Sequence, residues 1–295
     1  MERFSSVKGN AYKYILLITV LCNAFFVFIS FFINSYIAAI FIRIFLVVFN
    51  LYQLYYLLLS IFVEYQVSND RLDIVALTGF KDVSLNLKDI TMYSRISGNI
   101  NGVRLSGYGR DSFALGNFVI SKIGLVHMYV TSSRDMFYLK EKDETYAVSP
   151  EDAEKFENIL IEKGVKKGEW EGVKIKSSQL YKDKRFMVPF FVVSFAIIAL
   201  CLIPVVLYLR NVLPVKMPIS FDTKFMPAKW GTGKQFAFQQ MIYGAYNAGI
   251  LFCMYYAAYF NAKYSRKLAY KYIYLSLIIT VTFLFMQFKM LITFR

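Results

Sequence analysis

The chain has 295 residues, of which 57% are hydrophobic and 18% aromatic, and a formal charge of +14. Apolar residues in long uninterrupted runs exclude an ordinary soluble enzyme and mark a membrane protein. The positive charge sits in the segments flanking those runs, where anionic lipid headgroups are the fitting partner, so nucleic acid is set aside as a partner.

A bilayer core takes about 20 apolar residues per helix. The first two stretches of that length, 12–33 and 36–63, predict a transmembrane hairpin over residues 1–63, because only Asn34 and Ser35 separate them. No small-residue cleavage site precedes Asn34, so the first stretch reads as a retained helix and not as a removed signal. Residues 1–11 read only as its flank. Arg43 falls inside the second span, in AAIFIRIFLVV. A charge in a span is a candidate functional group. The plainer reading is a side chain that snorkels to the helix end about 10 Å away.

Residues 64–185 hold 19 Lys and Arg against 18 Asp and Glu, whereas the rest of the chain holds 15 against 2. This near-neutral segment is polar and alternating, and predicts a soluble domain over 64–164. VSLNLKDI puts Val83, Leu85, Leu87 and, with some drift, Ile90 on one face of a strand. NFVISKIGLVHMYVT predicts two strands around residues 121–124, and FYLKEKDETYAV a hairpin turning at 142–144. Gly102, Gly107, Gly109 and Gly116 are spaced as loop and bulge glycines. SPEDAEKFENILIEKG then predicts a helix with Ser149 as N-cap, Pro150 at its first position, Phe156, Ile159 and Leu160 on its buried face, and Gly164 at its end. Several strands followed by one helix suggest a small barrel or sandwich closed by that helix.

His127 is the single histidine and reads as a strand residue. No nucleophile–base set, metal-ligand cluster, phosphate loop or dinucleotide fingerprint is visible. The expectation is therefore a protein that is not an enzyme, with no catalytic, cofactor-binding or metal residues. Cys22, Cys201 and Cys253 all fall in predicted spans and read as small buried apolar groups.

A basic linker over 165–185 follows. Its lysines, Trp170 and Tyr181 suit an interfacial tether or a solvated connection. A C-terminal membrane domain over 186–295 is then predicted, with spans 186–209, 236–260 and 270–288. Pro189 and Pro204 are tolerable inside a span. Gln239, Gln240 and Asn247 in the fourth span, and Gln287 and Lys289 in the fifth, either join helices by hydrogen bonds or line a polar path; the absence of an intramembrane carboxylate weighs for packing. The loop over 210–235 contains LPVKMPISFDTKFMPAKWG. Pro214, Pro218 and Pro227 fix φ and remove donors, which makes it stiff and non-helical. Phe221 and Trp230 prefer the headgroup zone. Near the span ends, twelve Lys and Arg lie on the side of the N-terminus and seven on the other. The positive-inside rule then puts the N-terminus and the soluble domain in the cytoplasm and the C-terminus outside.

Two stretches resemble known families. The run from GVRLSGYGRDSFALGN to FENIL resembles the bacterial pleckstrin-homology-like (PH-like) domain. It has Gly107-x-Gly109 before a short strand, Tyr129, Val130 and Thr131 at a strand end, and Ser149, Pro150, Glu151 and Asp152 ahead of Phe156 on the closing helix. That resemblance covers about 64–164 and implies a seven-stranded barrel or sandwich with a C-terminal helix, used for oligomerisation or protein contact. The 213–231 loop resembles the membrane domain of immunity proteins against the sporulation-delaying toxin, which also occurs in many membrane proteins of Gram-positive bacteria. Leu213, Pro214, Pro218, Phe221, Pro227, Trp230 and Gly231 keep the spacing L-P-x-x-I-P-x-H-F-x-x-x-G-x-P-x-x-W-G-x-K, with Lys234 near the expected lysine. Ser220 stands in place of the histidine and Phe225 in place of a glycine. The resemblance covers about 186–260 and implies a rigid recognition surface carried by Pro214, Pro218, Phe221, Asp222, Pro227, Trp230 and Gly231.

The expected whole is an α+β chain: a five-span α-helical membrane protein of the bacterial plasma membrane, with an inserted PH-like barrel or sandwich capped by a helix. Arg43 and Asn247 are its intramembrane polar candidates. The leading functional expectation is an immunity or envelope-stress protein that recognises a membrane-active peptide. A scaffold or accessory subunit of an envelope or transporter complex is the alternative. The expected partners are the lipid bilayer, a peptide toxin or a membrane protein, and further copies of the chain; no cofactor and no nucleic acid are expected.

Overall fold

The computed structural model describes residues 2–76, 82–142, 144–170 and 180–294. It divides into two compact units, residues 1–28 with 44–175 and residues 29–43 with 176–295.

The first unit starts with strand β1, Glu2–Ser5. Helices α1, Ala11–Ser30, and α2, Tyr36–Phe62, follow, with the short joint at 31–35 that the sequence predicts. The two helices are tied at Asn23 and Asn50, whose amides exchange hydrogen bonds of 2.8 and 2.9 Å. Each amide also donates to the carbonyl four residues back, Thr19 and Leu46. In an apolar stretch such a pair satisfies its own polar atoms and holds the helices together.

Strands β2, Glu64–Val67, β3, Arg71–Val75, and β4, Asp82–Asn86, join β1 in an antiparallel sheet of order β1-β2-β3-β4. The sequence reading drew no strand before α1, so β1 is an addition. Strands β5, Ile90–Ile96, β6, Gly102–Arg110, β7, Phe113–Ile120, β8, Gly124–Val130, β9, Met136–Glu141, and β10, Glu144–Val148, form a second sheet. Its order is β5-β9-β10-β8-β7-β6, and only β10 with β8 is parallel. The β7–β8 and β9–β10 turns fall where predicted; Asp143 lies outside the described residues. VSLNLKDI is not one strand. A 3-10 turn at Leu87–Asp89, capped by the Asn86 side chain on Lys88 N–H at 3.1 Å, splits it between β4 and β5. Gly107 and Gly116 face each other across β6 and β7, both at positive φ. A Cβ on either would lie 2.0 Å from Leu115 O or 2.4 Å from Ser106 O, so the backbones meet closer than any side chain permits.

Helix α3, Ala153–Glu162, closes the domain. Its cap is Asp152, which accepts from Lys155 N–H at 3.0 Å, and not Ser149. Ser149 is fully buried and its backbone is already committed. Its N–H donates to the Tyr65 hydroxyl at 3.1 Å, its C=O accepts from Val7 N–H at 3.1 Å, and its Oγ accepts from Thr131 N–H at 3.0 Å. Pro150 bridges to Ser6, so it is not the first helical residue. The buried face is as predicted, with Phe156 and Leu160 inaccessible and Ile159 packed beside them. The helix ends in a Schellman motif: Val165 N–H bonds Leu160 O at 3.0 Å and Gly164 N–H bonds Ile161 O at 2.9 Å.

The core draws Tyr65, Leu72, Ile74 and Leu85 from the first sheet and Tyr93, Phe113, Leu115, Phe137 and Leu139 from the second. Two sheets share one core under α3. Residues 165–170 belong to this fold and not to a tether. Tyr93 N–H bonds Lys166 O and Gly168 N–H bonds Tyr93 O, both at 2.9 Å, and Trp170 donates its indole N–H to Ser94 Oγ at 2.7 Å. The middle of the predicted linker, 171–179, lies outside the described residues.

The second unit contains α4, Lys184–Leu209, β11, Met217–Phe221, β12, Pro227–Gly231, α5, Gly233–Ala262, and α6, Arg266–Phe294. Pro189 and Pro204 lie within α4. Only residues 263–265 separate α5 from α6, so both helices outrun the predicted spans. Among the described residues, four helices are long and apolar enough to cross a membrane: α1, α2, α4 and α6. Helix α5 is 30 residues long, but Gln239, Gln240 and Asn247 dilute its apolar run.

Candidate functional site

The 213–231 loop is a β-hairpin. Met217 pairs with Gly231, Pro218 with Trp230, Ser220 with Lys229 and Phe221 with Pro227. Asp222 builds the turn. Its N–H donates to Met226 O at 2.9 Å, and its carboxylate accepts from Lys224 N–H at 2.9 Å and Met226 N–H at 2.8 Å. Helix α5 begins directly after, capped by Thr232 and Gln235, whose side chains each take the other's backbone N–H.

One side of the hairpin is buried. Met217 and Phe221 pack with Phe236, Met286, Met290 and Leu291, and Pro218 is also buried. Phe225 stacks flat on Phe221, with centroids 4.6 Å apart and planes 7° apart. Lys289 sets its ammonium 4.0 Å from the centre of the Phe225 ring, and Tyr36 lies 4.8 Å from that ring. Phe225 has φ of 64°, a left-handed conformation that costs a residue with a Cβ about 1 kcal/mol. This is the position where the resembling loops carry glycine. Ring stacking and a cation–π contact, about 2 kcal/mol when desolvated, offset the backbone strain. Sequence reasoning noted Phe225 only as a departure and Lys289 only as a polar residue in a span.

Other residues of the loop are open. Trp230 is 53% exposed, Met226 62% and Val215 87%, with Lys216, Lys224 and Lys229 among them. Trp230 rests edge-on against Phe294 at 6.1 Å. Of the expected recognition residues, Trp230 therefore presents a surface, Asp222 and Gly231 shape the backbone, Pro214 and Pro227 are half-buried, and Phe221 and Pro218 form the foundation.

The polar residues of α5 and α6 turn inward. Asn247 is inaccessible, donates to Tyr243 O at 2.8 Å and accepts from the Thr280 hydroxyl at 3.1 Å. Gln287 donates to Leu200 O in α4 at 2.7 Å. The bonds to Thr280 and Leu200 join helices, whereas that to Tyr243 lies within α5. Arg43 is exposed on α2.

Residues 63–164 match the family model described as a bacterial PH domain. Over its whole length the chain is 41% identical to an uncharacterized protein of Clostridium acetobutylicum, across 294 residues that cover 99% of that protein. The chain belongs to that protein's family. The likeness thus extends over the segments on both sides of the PH domain. No solved structure matches the chain.

Within the PH domain, charge gathers around Glu157 of α3. Arg95 bonds it at 2.9 Å and also holds Asp135 at 2.8 Å, while Lys167 at 3.0 Å and the Tyr93 hydroxyl at 3.1 Å complete its shell. Burial alone would raise the Glu157 carboxyl; the hydrogen bonds from Arg95, Lys167 and Tyr93 outweigh it and hold the group below the usual carboxylate range. The same bonds, that to Glu157 foremost, hold the Arg95 guanidinium above its ordinary value. Charges so paired clamp α3 onto β5. An open hollow of about 580 Å³ adjoins them, lined by Arg3, Arg95, Asp135, Glu151, Asp152 and Lys155 among others. His127 bonds Asn117 Oδ1 at 2.6 Å and lies beside Tyr146, within its strand. Among the described residues no three His, Cys, Asp or Glu side chains gather as a metal site.

Proposed function

We propose that this protein is a five-span integral protein of the bacterial plasma membrane, of immunity or envelope-stress type. It recognises a membrane-active peptide through the open face of the β11–β12 hairpin, and its cytoplasmic PH domain is a protein-interaction or self-association module. It performs no chemistry on what it binds. The observation that carries the reading is the set of exposed residues on a braced hairpin. Trp230, Met226 and Val215 are exposed, as are Lys216, Lys224 and Lys229, in a loop whose Met217 and Phe221 are packed against α5 and α6. Exposed apolar residues on a braced scaffold are an interaction surface, and Trp is the residue most suited to anchor one. The resemblance of this loop to the membrane domain of toxin-immunity proteins points the same way.

Helix α5 serves as the fifth span. Its Gln240 and Asn247 are buried, while Phe238, Tyr246, Phe252 and Phe260 are exposed, so an apolar surface faces outward. Its 30 residues give about 45 Å, enough to cross. The excess of Lys and Arg on the N-terminal side puts the PH domain inside and the hairpin outside.

The test is survival. Cells expressing the wild type or Trp230→Ala are challenged with a panel of membrane-active peptides. The wild type is expected to raise the inhibitory concentration of at least one peptide, and Trp230→Ala to lose about tenfold of that protection, the effect of removing a central anchor. Equal protection by the variant removes the hairpin from the mechanism, and no protection by the wild type against any peptide overturns the immunity reading. A separate experiment checks orientation. Thr223→Cys in a background lacking the native cysteines is expected to react with an impermeant thiol reagent in intact cells. Labelling only after lysis would place the hairpin inside.

A further inference from the structure

The opposite end of the α4–α6 bundle carries a second feature that peptide recognition does not use. A hollow of about 470 Å³ is lined by Lys182, Asp183, Lys184, Arg185, Arg266 and Tyr270. Four of these are cations, Lys184 and Arg185 at the start of α4, Lys182 just before it and Arg266 at the start of α6, and Asp183 is the single carboxylate in the wall. Asp183 is engaged locally: it accepts from Arg185 N–H at 3.0 Å and from the Tyr270 hydroxyl. Among the described residues no Asp or Glu forms an ion pair with any of the four cations. The wall thus carries a formal excess of three positive charges around an open space, with a fixed phenol beside it.

Deeper along α4 a second space opens. It is an apolar groove of about 460 Å³ between α4 and α5, walled by Phe190, Ile197, Ile198, Leu251, Phe252 and Tyr255 among others. Phe190 is five residues beyond Arg185, about 8 Å along the helix. Tyr255 packs against both Phe186 and Phe190, at 6.0 and 5.6 Å, and so connects the charged end to the groove. Cations at a helix end with an apolar groove just below them match the chemistry of an amphiphile with an anionic head.

We infer that the charged hollow and the groove together bind one anionic phospholipid, its phosphate held by Arg185, Arg266, Lys182 and Lys184 and an acyl chain lying in the α4–α5 groove. Arginines suit the phosphate because their planar forks donate in pairs. A free phosphate would use the hollow but gain nothing from the groove. The inference rests on α4, α5 and α6 lying in a bilayer and not on the hairpin's ligand, so it survives if peptide recognition fails.

The experiment is native mass spectrometry of the full chain in detergent, with phosphatidylglycerol and phosphatidylcholine added at equal concentration. The expected result is one phosphatidylglycerol retained per chain in clear preference to phosphatidylcholine. Arg185→Gln with Arg266→Gln should lower its retention at least about tenfold, on the usual worth of basic residues at a headgroup. Ala248→Phe, which fills the groove, should lower it as well. Lys224→Gln with Lys229→Gln, on the hairpin, should leave it unchanged. Wild-type retention in either of the first two variants overturns the inference, as does equal retention of the two lipids. Displacement of the lipid by millimolar inorganic phosphate would reassign the hollow to a free anion and also overturn it.

Discussion

Removal of residues 2–9 is expected to unfold the PH domain of the full-length protein. Strand β1 pairs with β2 from Glu2 to Ser5 and forms the edge of the first sheet. Phe4 is 5% exposed and meets Phe156 edge-on at 5.4 Å. Loss of one such ring costs about 3–5 kcal/mol. The polar consequences add to this. Glu151 N–H loses Ser5 O, Ser149 O loses Val7 N–H, and the Thr131 hydroxyl loses Val7 O. Ser149 and Thr131 are buried, and each such group left unpaired costs about 1–3 kcal/mol. A domain has about 5–15 kcal/mol in all, so the deletion consumes most or all of it. The measurement is the thermal transition of the purified protein by near-ultraviolet circular dichroism, with proteolysis between residues 64 and 164 as a second readout. A transition within a few degrees of the wild type would mean that β1 only decorates the sheet. The family model begins at residue 63, so a truncation designed from it alone would remove this strand.

The helices were legible because burial in lipid demands length. α1, α2 and α4 begin and end within three residues of the apolar runs in the sequence. The β7–β8 and β9–β10 turns were legible because alternation breaks at Ser121–Lys122 and at Lys142, where the backbone turns left-handed. Strand β1 was not, since four residues before a helix show no period and their partner lies some sixty positions away. Ser149 has the right chemistry for a cap, yet the strand beside it claimed its backbone first. The hairpin was hidden by its own prolines. They argue against a strand, but Pro227 is the first residue of β12 and Pro218 sits on a two-stranded ribbon with free edges, the positions where proline is tolerated. Within the 213–231 loop, aromatic character put Phe221 with Trp230 in the headgroup zone, whereas its ring is 5% exposed and packs on α5 and α6. Aromatic character alone does not distinguish a ring that meets solvent from one that supports the turn.

That distinction makes Phe221→Ala the sharpest test of the hairpin. The ring is 5% exposed among Phe236, Met286, Met290 and Leu291, so its removal leaves a cavity worth about 3–5 kcal/mol. The loss spreads further, because Phe225 lies flat on it. Without that support the Phe225 ring no longer compensates its left-handed backbone, and the Lys289 ammonium loses the surface it covers. Phe221→Ala is therefore expected to lower the unfolding temperature of the membrane domain, to open the 222–226 turn to protease, and to abolish any protection the hairpin confers. Trp230→Ala is expected to lower protection alone, by about tenfold, with stability changed by less than about 1 kcal/mol, as its ring is half exposed. Phe221→Leu, which keeps most of the buried volume, should fall between the wild type and Phe221→Ala in stability and retain protection. If instead Phe221→Ala melts and resists protease like the wild type, the packed side of the hairpin is not its foundation. The two substitutions differ in their readouts because Phe221 is packed against the helices of its own chain, whereas Trp230 is half exposed.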